Sequence, residues 1–294
     1  MKRLQTLSAL LLAGLGLAAC ARGGGASLVP AALHARTTSS AFQFVGYWDG
    51  WQKNNLVKTP TGVSEIPLAF GFIHGHTITL KNGINAGYVT AQDIRALQAR
   101  GIKVTLSLGG ASPRTAFVFD GNVQGFEASL TALLKTLPLD GVDFDLEHGS
   151  TASRVKTLTT LIPATRAYFN ANNEPNAIVT YTAYNYPTDY GDDQILKNSQ
   201  VGSALSWVNV MSYNNHADQS AVVSDTESNL TAYGKIFDPA RLMMGVDIDD
   251  RPIPSDASLA TLSAWARSNG FGGMMAWTVN AITPQQLAAL TTGS

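Results

Sequence analysis

The stretch from Asp140 to Glu147, which reads Asp-Gly-Val-Asp-Phe-Asp-Leu-Glu, limits what this chain can fold into more than any other. In an extended strand, successive side chains point to opposite faces, so Asp143, Asp145 and Glu147 share one face and the apolar residues between them share the other. An apolar outer face and an acidic inner face suit a strand of a parallel barrel, in which inward residues near the carboxyl end line the active site. The pattern therefore favours a barrel strand that carries an acidic site.

Three carboxyl groups on one strand face cannot all ionise freely, because each negative charge raises the pKa of its neighbours. Such a cluster can hold a protonated acid beside a charged carboxylate. A chance acidic strand and a calcium site are the alternatives. A calcium loop would bring turn glycines and carbonyl ligands instead of the alternating Val142, Phe144 and Leu146. We therefore favour a catalytic role for the acids.

The composition indicates a globular protein with a nearly neutral surface. Of the 294 residues, 45% are hydrophobic and 14% are charged, and the formal net charge is -1. This length allows one large barrel or two smaller domains. The sequence contains no run of Lys or Arg, so nucleic acid is not expected as a partner. The 5 Trp, 9 Tyr and 11 Phe suit stacking on uncharged sugars, although most of them are expected in the core.

The amino terminus is predicted to direct export. Residues 1–19 combine a basic start with an apolar run that is too short to span a membrane comfortably, as in a signal peptide. The Leu-Ala-Ala sequence before Cys20 resembles a bacterial lipobox, in which the cysteine is acylated and becomes the mature terminus. Since Cys20 is the sole cysteine, it has no disulfide partner within the chain. An ordinary signal peptide with an incidental cysteine is the alternative.

Three segments are expected from this organisation. Residues 1–19 form the lipoprotein signal peptide, and residues 20–41 comprise the lipidated Cys20 and a flexible tether rich in Gly, Ala and Ser. Residues 42–294 form the catalytic domain. We therefore expect an exported protein that is lipid-anchored to the bacterial cell envelope, at a membrane or the cell surface.

Short apolar runs alternate with amphipathic patterns through the predicted domain. The candidate strands are 42–48, 67–73, 103–108, 141–147, 177–183, 207–213, 242–246 and 273–277. The candidate helices are 91–100, 125–137, 152–170, 259–268 and 284–290, with weaker patterns at 193–197 and 225–235. Pro163 is expected to kink the third helix or to begin a new one. Eight strands with crossovers predict an α/β fold, a single (β/α)₈ TIM barrel; an open doubly wound sheet is the alternative, but no Gly-rich dinucleotide turn supports it.

Motifs at other strand ends accompany the acidic strand. They are Gly46-Tyr47-Trp48, Ser107-Leu108-Gly109-Gly110, Met211-Ser212-Tyr213-Asn214 and Gly273–Trp277. Together with the acidic strand, these motifs resemble glycoside hydrolase family 18, which contains chitinases and endo-β-N-acetylglucosaminidases. The resemblance follows the family's order around the barrel and extends over most of residues 42–294. Because the last two strands lie close in sequence, it implies the form of the barrel without a large insertion domain.

The resemblance implies a retaining, substrate-assisted glycosidase. Glu147 then protonates the leaving glycosidic oxygen and later activates water, while the acetamido oxygen of the substrate attacks the anomeric carbon. Asp145 orients the acetamide and stabilises the charge that develops on it. Asp143 lies behind Asp145 and, with Ser107, sets its proton state. Tyr213 donates a hydrogen bond to the acetamide oxygen.

The resemblance also implies a set of sugar-binding residues. Trp277 is expected to form the floor under the sugar next to the scissile bond, with Tyr47 in the same subsite. The full predicted set is Tyr47, Trp48, Ser107, Met211, Asn214 and Trp277. Many bacterial relatives have Asp where this chain has Asn214, a difference that concerns the pH optimum rather than activity. Loop residues Trp51, Tyr184 and Tyr186 are outer platforms or plain packing, and Asp140 is expected to be structural.

The expected substrate is an N-acetylglucosamine-containing oligosaccharide or polysaccharide, namely chitin or chitooligosaccharides, hydrolysed by a monomer without a metal or other cofactor. An endo-β-N-acetylglucosaminidase acting on N-glycans, a catalytically weak chitin-binding lectin and a purely structural lipoprotein are the alternatives. The sequence His74-Gly-His76 is similar to the metal-binding pair of amidohydrolase barrels, but the further ligands that those sites need are missing from the expected strands.

Overall fold

Eight parallel strands close into a barrel in the computed structural model, which describes residues 41–293 except 52–55, 112, 214–220, 250–252 and 281. The strands are β1 (Gln43–Asp49), β2 (Glu65–Gly75), β3 (Thr77–Leu80), β4 (Lys103–Gly109), β5 (Phe117–Phe119), β6 (Gly141–Asp145), β7 (Ile178–Ala183), β8 (Trp207–Val210), β9 (Leu242–Asp247) and β10 (Gly273–Trp277). The barrel order is β1-β10-β9-β8-β7-β6-β4-β2, and parallel pairing of β1 with β2 closes it. The predicted (β/α)₈ barrel is confirmed.

Helices occupy the crossovers between the barrel strands. They are α1 (Asn82–Asn85), α2 (Ala91–Gln98), α3 (Val123–Thr136), α4 (Thr151–Ala171), α5 (Asp192–Leu196), α6 (Ser199–Ala204), α7 (Val222–Gly234), α8 (Asp256–Ser268) and α9 (Pro284–Thr292). Polar side chains fix several helix starts: Ser150 caps α4, Ser255 caps α8, and Thr283 forms a capping box with Gln286 at α9.

Helix α4 continues through Pro163, so no new helix begins there. The reason lies in its packing, because Leu158, Leu161 and Ile162 before the proline and Thr165 after it are fully buried. Burial of this face stabilises the helix on both sides of the residue that lacks a backbone donor.

Strand β2 extends beyond the barrel. Its outer half pairs antiparallel with β3 and parallel with the three residues of β5. These two strands and the short helices α1 and α6 were not predicted, because elements this short carry too little periodicity. The predicted strands 141–147 and 207–213 were too long, since β6 ends at Asp145 and β8 ends at Val210.

The two faces of the barrel strands differ as the sequence predicted. On β6, Val142 and Phe144 are fully buried in the main apolar core between barrel and helices. Asp143 and Asp145 face the barrel interior, where the polar side chains of Thr105, Thr180 and other inward residues are also buried. Residues 1–40, with the predicted signal and tether, lie outside the described residues. Within the described part of the chain, no helix is both long enough and apolar enough to cross a membrane.

The end of β4 approaches the acidic strand so closely that only glycine fits. Gly109 has a φ of +127°, and an added Cβ would lie 2.0 Å from the carbonyl oxygen of Asp145. The next residue, Gly110, donates its N–H to that same oxygen at 2.8 Å. The two glycines therefore fix the separation between β4 and the carboxyl end of β6.

We expect Gly109→Ala to lower the free energy of unfolding by about 3–5 kcal/mol, because it adds a backbone clash to an unfavourable φ. Gly101→Ala is the matched control, since Gly101 has a φ of +81° but no atom within 4 Å of an added Cβ. The control should cost only about 1–2 kcal/mol. Urea unfolding of both variants measures the difference, and equal losses would contradict the close approach.

Candidate active site

A cavity of about 540 Å³ opens at the carboxyl ends of the barrel strands. Its lining residues are Tyr47, Trp51, Phe70, Asn82, Ala111, Asp145, Glu147, Thr182, Met211, Tyr213, Asp247 and Trp277. Six residues that the sequence predicted for the site are among them: Tyr47, Asp145, Glu147, Met211, Tyr213 and Trp277. The fold thus brings together residues that are up to 230 positions apart in the chain, as with Tyr47 and Trp277.

Asp143 lies below the cavity, wholly buried, inside a cage of hydroxyl groups. Ser107 donates to its Oδ2 at 2.7 Å and Tyr47 donates to the same oxygen at 2.9 Å. Thr180 donates to its Oδ1 at 2.7 Å, and the hydroxyl of Thr182 lies 3.0–3.1 Å from both oxygens. Burial raises the pKa of Asp143, whereas these hydrogen bonds lower it by stabilising the carboxylate.

Asp145 has a contrasting environment. Its side chain is 3% exposed, and its Oδ1 has no hydrogen-bond partner among the described residues. Burial, reinforced by repulsion from Glu147 and Asp143, raises the pKa of Asp145 well above its ordinary value. Because four hydroxyl donors surround Asp143 and the Oδ1 of Asp145 has no partner among the described residues, negative charge is better stabilised on Asp143 than on Asp145.

Glu147 follows the end of β6 by two residues and lies at the cavity wall. Burial raises the pKa of Glu147 to about 7, and the positive charge of Arg154 opposes this rise. A carboxyl group with this pKa is available as a proton donor near neutral pH and as a base after the proton has left. The three acids therefore lie in three different electrostatic environments within one short segment of chain.

A phenol group, that of Tyr213, also belongs to the lining of the cavity. Burial and the nearby charges of Asp145 and Glu147 raise the pKa of Tyr213 well above its ordinary value, so the phenol stays protonated. Tyr213 and the buried Met211 both follow the end of β8 and line the cavity.

Aromatic rings form the wall around Trp277. Phe70 stacks on its ring with a centroid separation of 5.7 Å and an interplanar angle of 15°. Tyr47 lies at 5.9 Å, and Trp51 meets the Trp277 ring edge-on at 5.8 Å. Trp51 is 59% exposed, which fits an outer platform rather than plain packing. Flat apolar faces beside buried acids suit a sugar ring, whose faces are apolar and whose edges are polar.

Several predicted residues lie elsewhere. Trp48 was expected to contact sugar, but it is 2% exposed, belongs to the core between barrel and helices, and is not among the residues lining the cavity. The reason is strand alternation, since Tyr47 points inward and its neighbour must point outward. Ser107 reaches the site only through Asp143. Asn214 lies outside the described residues. Asp140 accepts hydrogen bonds from the Val104 N–H and from Gln98 and Lys103, which is a structural role.

Other residues of the cavity were not predicted. Phe70, Asn82, Ala111, Thr182 and Asp247 line it without a motif that marks them. The inward periodicity of β7 would have found Thr182, because Thr180 and Thr182 alternate with apolar residues. Phe70 lies within β2, Asn82 begins α1 and Ala111 follows β4, and no sequence motif marks any of the three as part of a site. Tyr184 is half-buried, and its hydroxyl contacts the backbone of the site rather than the cavity.

No group of three or more His, Cys, Asp or Glu side chains among the described residues is arranged to hold a metal ion. The Nδ1 of His76 lies 2.9 Å from a carboxylate oxygen of Asp120 on the protein surface.

The resemblance implies that Glu147 is the proton donor. We therefore expect kcat/KM for glycoside hydrolysis to fall about tenfold per pH unit above about pH 7, where the Glu147 carboxyl loses its proton. Glu65→Gln is the control, since burial also raises the pKa of Glu65, to about 8, although Glu65 does not line the cavity. The descending limb should persist unchanged in this variant. A profile that is flat to pH 9, or a limb that disappears in Glu65→Gln, would contradict the assignment.

Comparisons with known proteins agree with this geometry. The family model described as Glycosyl hydrolases family 18 matches residues 43–250. Endochitinase 4 of Metarhizium robertsii is 24% identical over 286 residues, covering 80% of this chain and 82% of that protein. Chitinase Chi52 of Paenibacillus xylanexedens is 28% identical over 148 residues, covering 44% of this chain and 28% of that protein.

A solved structure of a GH18 chitinase from Pseudoalteromonas aurantia has the same fold, with a TM-score of 0.71 at 18% identity over 86% of this chain and 100% of that chain. The segment matched by the family model contains every barrel strand except β10, and it includes all three acids of the site. This chain therefore belongs to glycosyl hydrolases family 18.

Proposed function

We propose that this glycosidase hydrolyses β-1,4 glycosidic bonds next to N-acetylglucosamine in chitin or chitooligosaccharides, with retention of configuration and with help from the substrate's acetamido group. The observation that supports this most directly is the contrast between Asp143 and Asp145. A two-carboxylate mechanism would need an ionised nucleophile, whereas burial and repulsion from Glu147 and Asp143 raise the pKa of Asp145 and the hydroxyl donors favour negative charge on Asp143 instead.

Bond cleavage uses Glu147 as the proton donor. Its carboxyl, with a pKa of about 7, transfers a proton to the glycosidic oxygen as the bond to the anomeric carbon breaks. The acetamido oxygen of the same sugar attacks that carbon and gives a cyclic oxazolinium ion. Asp145, whose Oδ1 has no partner among the described residues, accepts a hydrogen bond from the acetamide N–H, and the negative charge carried by the Asp143–Asp145 pair stabilises the positive charge of the ring. Tyr213 donates to the acetamide oxygen and orients it.

Completion of the reaction returns each group to its starting state. The Glu147 carboxylate takes a proton from water, and the water oxygen attacks the anomeric carbon from the face that the leaving group vacated. The oxazoline ring opens, and the configuration is retained after two inversions. Trp277, with Phe70 stacked behind it, forms the floor on which the reacting sugar lies.

Chitotetraose should be hydrolysed, whereas cellotetraose, which lacks acetamido groups, should be inert. Glu147→Gln should reduce kcat by at least roughly 10²-fold, because it removes the general acid and base. Glu174→Gln is the matched control, since this exposed acid precedes β7 at the opposite end of the barrel. Chromatography of the products over time measures each rate.

Two results would overturn the proposed mechanism. One is cleavage of cellotetraose at a rate comparable to that of chitotetraose, which would make the acetamide dispensable. The other is a covalent sugar adduct on Asp145 with a fluorinated substrate. Inhibition by a thiazoline analogue of the cyclic intermediate is the expected positive result.

The proposal also includes the location of the protein in the cell. Residues 1–19 have the pattern of a lipoprotein signal, and Cys20 follows Leu-Ala-Ala. An acylated Cys20 would hold the catalytic domain at the cell envelope as a monomer on a tether, since two or more acyl chains give stable membrane attachment.

Cys20→Ala should leave the protein unprocessed or mislocalised when it is expressed in a bacterium with a lipoprotein pathway. Ser27→Ala, a change in the predicted tether, is the control and should fractionate with membranes like the wild type. Mass spectrometry of the mature amino terminus should show an acylated Cys20. An unmodified terminus at another position would contradict the anchor.

A further inference from the structure

Glu147 lies beyond the end of strand β6, where hydrogen bonds to neighbouring strands no longer fix the backbone. Strand β6 ends at Asp145, and its last partner pairs are Asp145 with Gly109 on β4 and Phe144 with Tyr181 on β7. The next two residues therefore make no ladder hydrogen bonds. A general acid needs a fixed position, because a displacement of about 1 Å can reduce the rate roughly 10²-fold. Other groups must hold this segment.

The carbonyl before Glu147 is held by a buried arginine. Arg154 on α4 is fully buried, and its Nη1 donates to the carbonyl oxygen of Leu146. Its Nη2 donates to Asp192 and to the hydroxyl of Tyr181, both at 2.9 Å. Because the guanidinium is planar and its nitrogens are engaged on several sides, it has little freedom to move away from Leu146.

The carbonyl of Glu147 itself is held by a tyrosine. The hydroxyl of Tyr184 donates to this oxygen at 3.0 Å. Burial and the nearby Glu147 raise the pKa of Tyr184 above its ordinary value, so its hydroxyl remains a donor. The backbone of Tyr184 is held in turn, since its N–H donates to Asp192 at 2.7 Å and its carbonyl accepts from Tyr233 at 2.7 Å.

One carboxylate connects both supports. Asp192 accepts from Arg154 and Tyr181 on Oδ1, and from the Tyr184 N–H and the Tyr233 hydroxyl on Oδ2. These residues come from α4, β7, the segment after β7 and α7, so the network joins four parts of the barrel wall. All five residues of this network are buried or half-buried. A buried network in which the polar groups have their hydrogen-bond partners is rigid.

We propose that Tyr184 and Arg154 are positioning residues for the general acid Glu147, acting through the two main-chain carbonyls on either side of its Cα. Those carbonyls belong to the two peptide planes that flank residue 147. Since a residue has only two soft backbone dihedrals, holding both planes fixes the direction of its side chain. The inference rests on the proposed function for the role of Glu147, but the positioning itself is a property of the fold.

Tyr184→Phe tests this inference with the smallest change, the loss of one hydroxyl. We expect kcat for chitotetraose to fall about tenfold while KM changes less than about twofold, because the acid is misplaced and the sugar-binding wall is intact. Tyr190→Phe is the matched control. The Tyr190 ring packs against Tyr184 with a centroid separation of 4.3 Å, but its hydroxyl makes no hydrogen bond with the described residues. This control should keep both constants near wild type.

Crystal structures of the two variants provide a readout that does not depend on activity. The Glu147 carboxyl should be displaced or spread over several positions in Tyr184→Phe and unchanged in Tyr190→Phe. Arg154→Lys, which keeps the charge but loses the fork of donors, should show the same displacement if it folds, as judged by circular dichroism. Glu147 in its original position with full kcat in Tyr184→Phe would overturn the inference. An inactive wild type with Glu147 displaced in Tyr184→Phe would refute only the proposed function.

Discussion

Burial of three carboxyl groups at the end of one strand is the constraint on which the rest of the site depends. Taking a carboxylate out of water is costly unless donors surround it or it stays protonated. Asp143 accepts hydrogen bonds from four hydroxyls on three strands, β1, β4 and β7, whereas the Oδ1 of Asp145 has no partner among the described residues. The barrel interior around Asp143 is polar because a buried carboxylate needs hydrogen-bond donors.

The same constraint explains the packing around β6. The neighbouring strand β4 ends in two glycines, one of which donates its backbone N–H to the carbonyl of Asp145. Beyond the end of the strand, the Leu146 and Glu147 carbonyls accept from Arg154 and Tyr184. The His148 ring contacts the carbonyl of Ala111 and ties the segment to the loop after β4. Backbone groups that leave the sheet are thus satisfied one by one, as buried polar groups must be.

Arg154 links the scaffold to the chemistry in two ways. It holds the backbone beside Glu147, and its charge opposes the rise that burial causes in the pKa of that acid. Asp192 accepts from Arg154 and is bound by two tyrosine hydroxyls, so the cation is paired inside the protein. A paired cation gives a smaller field at Glu147 than a bare one would, which keeps the acid protonated near neutral pH.

The sequence by itself determined the barrel and the acidic strand, because strand alternation places Asp143, Asp145 and Glu147 on one face whatever surrounds them. It also identified Tyr47, Met211, Tyr213 and Trp277, which follow from strand ends in a family pattern. Only the tertiary structure decided that Trp48 packs in the core and that Phe70 stacks on Trp277, whereas the structural role expected of Asp140 is confirmed by its hydrogen bonds. Only the tertiary structure also revealed the different surroundings of the three acids and the groups that hold the backbone at Glu147. Hydroxyl donors, ring contacts and carbonyl acceptors come from distant parts of the chain, and no local periodicity records which of them will meet.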